Sequence, residues 1–264
     1  VFADNTIANR SAKESFKAID LIDGFTFRNN TACLARKTRI SGFRNADITV
    51  PAVESPVKKN EVGASWYVTS ESGGTKEGKM VLCADGAELT AAAAKASAGD
   101  TLVLTATEYA LTSSVLISVP LVVRAASTAL RPVISYAGQK RGSLMVLLDG
   151  SSLTVEGIDF RGNLTVGRAG VRHAITTDEA MIHHYSLTLR DCAFYDFGES
   201  GCTAVRGAQN TFADKVVIEN CTFRDLSGNA VDYGAERDDI GRYNAEELVI
   251  RGCRFEHMLG LGIN

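Results

Sequence analysis

Leu153-Thr-Val-Glu-Gly-Ile-Asp-Phe160, Leu187-Thr-Leu-Arg-Asp-Cys-Ala-Phe194, Val216-Val-Ile-Glu-Asn-Cys-Thr-Phe223 and Leu248-Val-Ile-Arg-Gly-Cys-Arg-Phe255 share one pattern. Each reads aliphatic, any, aliphatic, any, small or turn-forming, Ile or Cys, any, Phe. The copies lie 34, 29 and 32 residues apart, and a period in that range marks a repeat architecture. Within a copy the apolar positions alternate with period two, turn at Gly157, Asp191, Asn220 or Gly252, and alternate again, which excludes helical repeats. Each copy is therefore a rung of a β-solenoid, and the predicted fold is all-β, a right-handed parallel β-helix. Ile158, Cys192, Cys221 and Cys253 are expected to stack as one inward ladder, and Phe160, Phe194, Phe223 and Phe255 as a second. The unequal spacing is absorbed by loops at the other turns, as at 209–214 and 236–244.

A fainter form of the signal occupies the start of the chain. Val1-Phe-Ala-Asp-Asn-Thr-Ile7 and Phe25-Thr-Phe-Arg-Asn-Asn-Thr31 are offset by about one coil, with an Asn29-Asn30 turn suited to the left-handed region. Residues 1–50 are thus read as the last coils of one β-helix, 51–79 as a linker, and 80–264 as a second, truncated β-helix. The linker holds Pro51, Pro56 and the polar run Ser70-Glu-Ser-Gly-Gly-Thr-Lys76. The stretch from Ala87 to Ala98 has strong helix propensity, stops at Gly99-Asp100, and is expected to cap the second solenoid just before Thr101-Leu-Val-Leu104. The chain starts inside a strand pattern and ends at Leu259-Gly-Leu-Gly-Ile-Asn264 with no capping element, so it is expected to be a piece of a longer protein.

The composition, 264 residues with 45% apolar and 22% charged residues, is that of a soluble globular chain. A formal net charge of −3 gives no basic face for nucleic acid. The longest apolar stretches, 115–123 and 144–148, are far too short to span a bilayer. Six cysteines include no closely spaced pair, so neither a zinc site nor a redox motif is indicated, and the three ladder cysteines read as small buried hydrophobes. Three polar loops carry the candidate substrate-binding residues: Tyr136, Lys140 and Arg141; His183 and His184; and Arg237, Arg242 and Tyr243. Each is a loop that could contact saccharide and equally a solvated turn.

Ala98-Gly-Asp-Thr-Leu-Val-Leu104, Arg131-Pro-Val-Ile-Ser-Tyr136, Thr211-Phe-Ala-Asp214 and Gly241-Arg-Tyr-Asn-Ala-Glu246, taken in order with the β-strands that follow them, resemble the C-terminal β-helix of two-domain alginate lyases of polysaccharide lyase family 6, relatives of chondroitinase B. Glu61-Val-Gly-Ala-Ser-Trp66 resembles the exit from the catalytic N-terminal β-helix of those enzymes, and Asp4-Asn-Thr-Ile7 its late coils. The resemblance implies β-elimination on a uronic-acid polymer: Ca2+ neutralises the carboxylate, a Lys removes the C5 proton and an Arg serves as acid. It implies alginate as partner, a secreted or periplasmic location, and an accessory β-helix that supports the catalytic domain, forms a homodimer or walls one side of the groove.

The family motif places a Glu-x-Glu pair just before the Lys. Lys140 and Arg161 have a suitable interval, but the acidic positions hold Val133 and Ser135. No catalytic residue and no metal ligand is therefore assigned here. The catalytic Lys/Arg and calcium site is expected upstream of Val1, and the isolated chain is expected to be inactive. The alternative is a non-catalytic β-helix that binds glycans or serves as a scaffold.

Overall fold

The computed structural model describes residues 78–163, 170–198, 201–234, 244–260 and 262–263, together with the backbone of six short strands between residues 2 and 41. All paired strands run parallel, and they stack into three faces of a β-helix. On the first face lie β7 (Met80–Cys83), β8 (Thr101–Leu104), β11 (Leu121–Ala125), β14 (Leu153–Glu156), β17 (Tyr185–Arg190), β20 (Ala213–Glu219) and β23 (Ala245–Arg251), in that order. The second face stacks β9 (Glu108–Leu111), β12 (Val133–Tyr136), β15 (Asp159–Arg161), β18 (Ala193–Phe197), β21 (Thr222–Leu226) and β24 (Arg254–Met258). The third stacks β10 (Val115–Ile117), β13 (Met145–Leu147), β16 (His173–Thr177), β19 (Thr203–Arg206) and β22 (Asn229–Asp232).

Both predicted ladders are present. Phe160, Phe194, Phe223 and Phe255 stack with ring centroids 5.0, 4.9 and 5.1 Å apart and interplanar angles of 4°, 6° and 7°, each pair worth about 0.5–1.5 kcal/mol beyond its burial. Ile134 and Tyr109 continue the row in the earlier coils. Ile158, Cys192, Cys221 and Cys253 are buried. The thiols of Cys192, Cys221 and Cys253 donate to the carbonyls of Arg190, Glu219 and Arg251, two residues back, at 3.2, 3.3 and 3.5 Å. A cysteine at this corner therefore fills a small apolar site and adds a weak donor to a carbonyl that already accepts the corner N–H of the preceding coil. The five described cysteines are free thiols; Cys33 lies outside the described residues.

The corner between the first and second faces holds two residues in each of these four coils. Its first residue has positive φ: Gly157 (70°), Asp191 (54°), Asn220 (54°) and Gly252 (65°). These are the four turn positions read from the sequence. Gly, Asn and Asp enter the left-handed region at least cost, so the corner closes without strain. A second positive-φ row, Asp196 (62°), Asp225 (55°) and His257 (48°), lies inside the second-face strands. It lets two inward residues fall three apart, Phe194 with Phe197, Phe223 with Leu226 and Phe255 with Met258, all buried. Strict alternation would have sent the second of each pair into solvent.

The outer side of the first face carries a ladder of alternating charge. Arg124, Glu156, Arg190, Glu219 and Arg251 lie side by side in successive coils. Arg190 reaches Glu156 at 3.3 Å and Glu219 at 3.1 Å, and Arg251 also pairs with Glu219. The Arg190 guanidinium, joined by Arg251, holds the Glu219 carboxyl below the usual range.

The first coil is closed by α1 (Gly86–Lys95), which buries Gly86, Leu89 and Ala93 against it. Asp85 caps the helix by accepting from the Glu88 N–H at 2.8 Å, while Glu88 accepts from the Ala84 N–H at 2.7 Å. The helix ends three residues earlier than propensity predicts, because the Asp100 carboxylate takes the N–H groups of Ser97 and Lys79, both at 2.8 Å, and pulls the exit toward β7.

At the far end, β1 (Phe2–Ala3) and β4 (Phe27–Arg28) extend the first face beyond β23. In the same way β2 (Thr6–Ala8) and β5 (Thr31–Ala32) extend the second face beyond β24. β3 (Phe16–Lys17) and β6 (Ile40–Ser41) pair separately. Apart from Gly78 and Lys79, the stretch 51–79 lies outside the described residues.

Phe223 has a stacked neighbour on each side, so Phe223→Ala is expected to lower unfolding free energy by about 3–5 kcal/mol in denaturant titration. At the corner, Asn220→Gly should be nearly neutral and Asn220→Val should cost about 1–2 kcal/mol, the penalty of a side-chain clash at positive φ.

Candidate functional site

The third face has two edges, and the sequence-predicted loops fall on both. At its entry, between β12 and β13, Tyr136 turns its hydroxyl to the Lys140 carbonyl at 2.8 Å. A Cβ on Gly138 or Gly142 would meet the Tyr136 ring within 2.5–2.7 Å, so these glycines let the loop fold over the ring. Lys140 and Arg141 are exposed beside it.

Arg172, which the sequence reading missed, is exposed in the next coil; its N–H donates to the Gly142 carbonyl at 2.8 Å. Arg206 closes β19 one coil further on, opposite Thr176. All three arginines act on one buried group. His173 is 4% exposed, and its Nδ1–H donates to the Thr203 carbonyl at 3.1 Å, leaving Nε2 buried without a partner. Burial, reinforced by Arg206, Arg172 and Arg141 and opposed by the Thr203 bond, pushes His173 down to about 4. The imidazole is thus a neutral inner wall; Arg141 and Arg172 with Lys140 form a basic corner at the entry edge, while Arg206, opposite Thr176, lies toward the exit end of the third-face strands. A sequence signal existed in Val171-Arg-His173 and Val205-Arg206, but these third-face strands carry no Phe or Cys ladder to set them in phase.

At the opposite edge, His183 and His184 sit in the turn before β17. His183 Nδ1 meets Asp149 Oδ2 at 2.7 Å, and Asp149 Oδ1 accepts the N–H groups of Ile182 and His183 at 2.8 and 2.7 Å. Those backbone and imidazole donors from His183 hold the Asp149 carboxyl below its ordinary range. His184 Nδ1 meets Asp214 Oδ1 at 2.8 Å, with its ring 4.6 Å from Phe212. Both imidazoles tie one coil to the next. The width of the third face separates them from Tyr136, Lys140 and Arg141. Arg237, Arg242 and Tyr243 lie outside the described residues.

The calcium-bearing constellation has no counterpart among the described residues. Val133 and Ser135 occupy the outer side of β12 where paired carboxylates would be needed, and Arg161 is engaged by Glu108 at 3.3 Å. Among the described residues no group of three His, Cys, Asp or Glu could hold a metal ion, so these residues do not fit a calcium site. No helix among them is long and apolar enough to cross a membrane.

His173 gives a test of its burial beneath the third face. A base whose folded value is depressed from 6.5 to about 4 stabilises fully above pH 6.5, and that stability is lost as pH falls through 4. Acid unfolding of the parent should therefore show a loss of about 3 kcal/mol between these values. His173→Asn should abolish that loss.

No protein-family model matches the chain, and no curated protein matches it by sequence. Among solved structures it is similar to that of the PL6 family alginate lyase AlyGC, with a TM-score of 0.60 and 21% identity over 94% of this chain. A mutant of that enzyme gives a TM-score of 0.61 and 21% identity over 96%. The chain spans 38% and 42% of the lengths of those two structures. What this chain shares with these alginate lyases is their parallel β-helix fold.

Proposed function

We propose that this chain is the C-terminal part of an alginate (polyuronate) lyase, and that its own contribution is to hold the anionic polymer at the basic corner of the third face. The observation that carries this reading is the exposed basic edge of Lys140, Arg141 and Arg172 on successive coils, with Arg206 on the next coil also bearing electrostatically on neutral His173. Cations presented by successive coils suit a polymer that carries one carboxylate per sugar ring. Guanidinium groups bind carboxylates in a planar, two-bonded geometry, which fixes the polymer's direction as well as its position. Lys140 adds a more mobile charge at the entrance, and the Tyr136 ring offers an apolar shoulder for a pyranose face.

The likeness to alginate lyases supports a β-elimination chemistry for the whole protein. The described residues do not supply the Lys, Arg and calcium set, so in this reading those groups stand on the catalytic β-helix that precedes the matched segment in such enzymes. A polymer too large to enter a cell fits a secreted or periplasmic enzyme. A purely glycan-binding β-helix is the second reading, favoured by the same basic corner.

The two readings separate in one assay. The isolated chain is expected to be retarded in an alginate-containing native gel and to release no unsaturated uronate. The protein extended upstream should produce unsaturated ends from alginate, and failure on both alginate and dermatan sulfate would overturn the lyase reading. Arg141→Ala with Arg172→Ala should weaken alginate binding by about tenfold, or 1.4 kcal/mol, and rising salt should erase the difference.

A further inference from the structure

We propose that Cys192, Cys221 and Cys253 form a site for a soft, thiophilic divalent cation, Hg(II) being the type, bound in line between the thiols of two adjacent coils. This inference is independent of the proposed function. It rests first on register. The residues that flank these cysteines pair directly from coil to coil: Arg190 with Glu219 and Glu219 with Arg251 before them, Ala193 with Thr222 and Thr222 with Arg254 after them. The three side chains therefore turn inward at the same point of successive coils, and all three belong to the buried apolar core. Each thiol is oriented by its bond to the carbonyl two residues back, and the Cys221 thiol also interacts with those of both neighbours.

Spacing selects the coordination geometry. Adjacent strands stand about 4.8 Å apart, and two metal–thiolate bonds of about 2.3 Å in a straight line span about 4.6 Å. A linear bridge thus fits between neighbouring coils with little movement. Tetrahedral and octahedral ions need several ligands converging on one point, which a row does not provide; no group of three donors does so among the described residues. Thiolates in turn select soft cations.

Charge selects the valence. An unbalanced charge is costly in an apolar interior. When two thiols each release a proton to solvent, the two sulfur–metal bonds to a divalent cation give a neutral bridge, whereas a monovalent ion such as Cu(I) would leave one negative charge in the core. Contacts with Cys192 and Cys253, together with burial, push the Cys221 thiol well above its ordinary range, so its proton leaves only in exchange for the metal. Cys221 is common to both possible bridges, and the ladder therefore holds one ion per chain. Cys192 and Cys253 are two coils apart, about 9.6 Å, too far for a single ion to join. Cys83 is paired with Leu104, and Cys202 lies against Gly228, so neither meets another thiol in those coils.

The test uses the full, reduced chain, treated with one equivalent of HgCl2, exchanged against excess free cysteine once uptake is complete, and weighed by native mass spectrometry. The parent should retain one mercury with the loss of two protons, the mass of a bridge between two thiolates. Cys192→Ala and Cys253→Ala should each keep that adduct, because one adjacent pair survives. Cys221→Ala should lose it. Cys192→Ala combined with Cys253→Ala, which leaves the middle thiol in place, should lose it too, and carries the same expectation independently of how Cys221→Ala folds. Retention of the two-proton adduct in Cys221→Ala or in the double variant would overturn the proposal, as would a parent that binds no mercury or loses only one proton on binding it.

Discussion

From β14 onward the chain has two residues in which to pass from the first face to the second, and those coils of the solenoid are organised around that limit. A two-residue turn of this sharpness needs a left-handed backbone at its first position. Gly157, Asp191, Asn220 and Gly252 supply it. Because the corner has fixed length, the strands on either side enter each coil in phase, and the side chains that follow fall directly beneath their counterparts. The Phe rings can then stack within 7° of parallel, and the thiols can meet the same carbonyl in successive coils. The other two corners are not so limited, and they carry the loops that vary in length and bear charge.

That division explains which parts of the molecule could be read from sequence. The Phe and Cys ladders and the positions of the four turns were legible because they repeat at the invariant corner, where side-chain type and backbone conformation are tied together. The second left-handed row was not legible: Asp196, Asp225 and His257 tolerate such a backbone but stand inside runs that read as strands, and only the buried Phe197, Leu226 and Met258 after them reveal it. The helix was correctly placed but overextended, because propensity sees the alanines and not the Asp100 carboxylate that ends it. The half of the basic corner carried by Tyr136, Lys140 and Arg141 could be found as a loop rich in polar residues. Arg172 and Arg206 could not, since each looks like an ordinary polar position until the coils are stacked.

The basic corner also shows how a solenoid builds a binding surface. No single loop holds the cluster; Arg141 and Arg172 come from successive coils and are brought to one edge only by the stacking of the third face. Spacing of the coils along the axis is set by backbone hydrogen bonding. The two histidines at the opposite edge play a different part, each engaged by an aspartate of a neighbouring coil, so that edge is tied from coil to coil.

The alternating charges on the first face carry an implication for how such a chain can grow. Glu156, Arg190, Glu219 and Arg251 attract their neighbours because signs change at every coil. Removing or duplicating one coil would set like charges side by side and turn attraction into repulsion. Removing or duplicating two would leave the alternation intact. Along this stretch the ladder therefore acts as a parity rule, under which coils are gained and lost most readily in pairs.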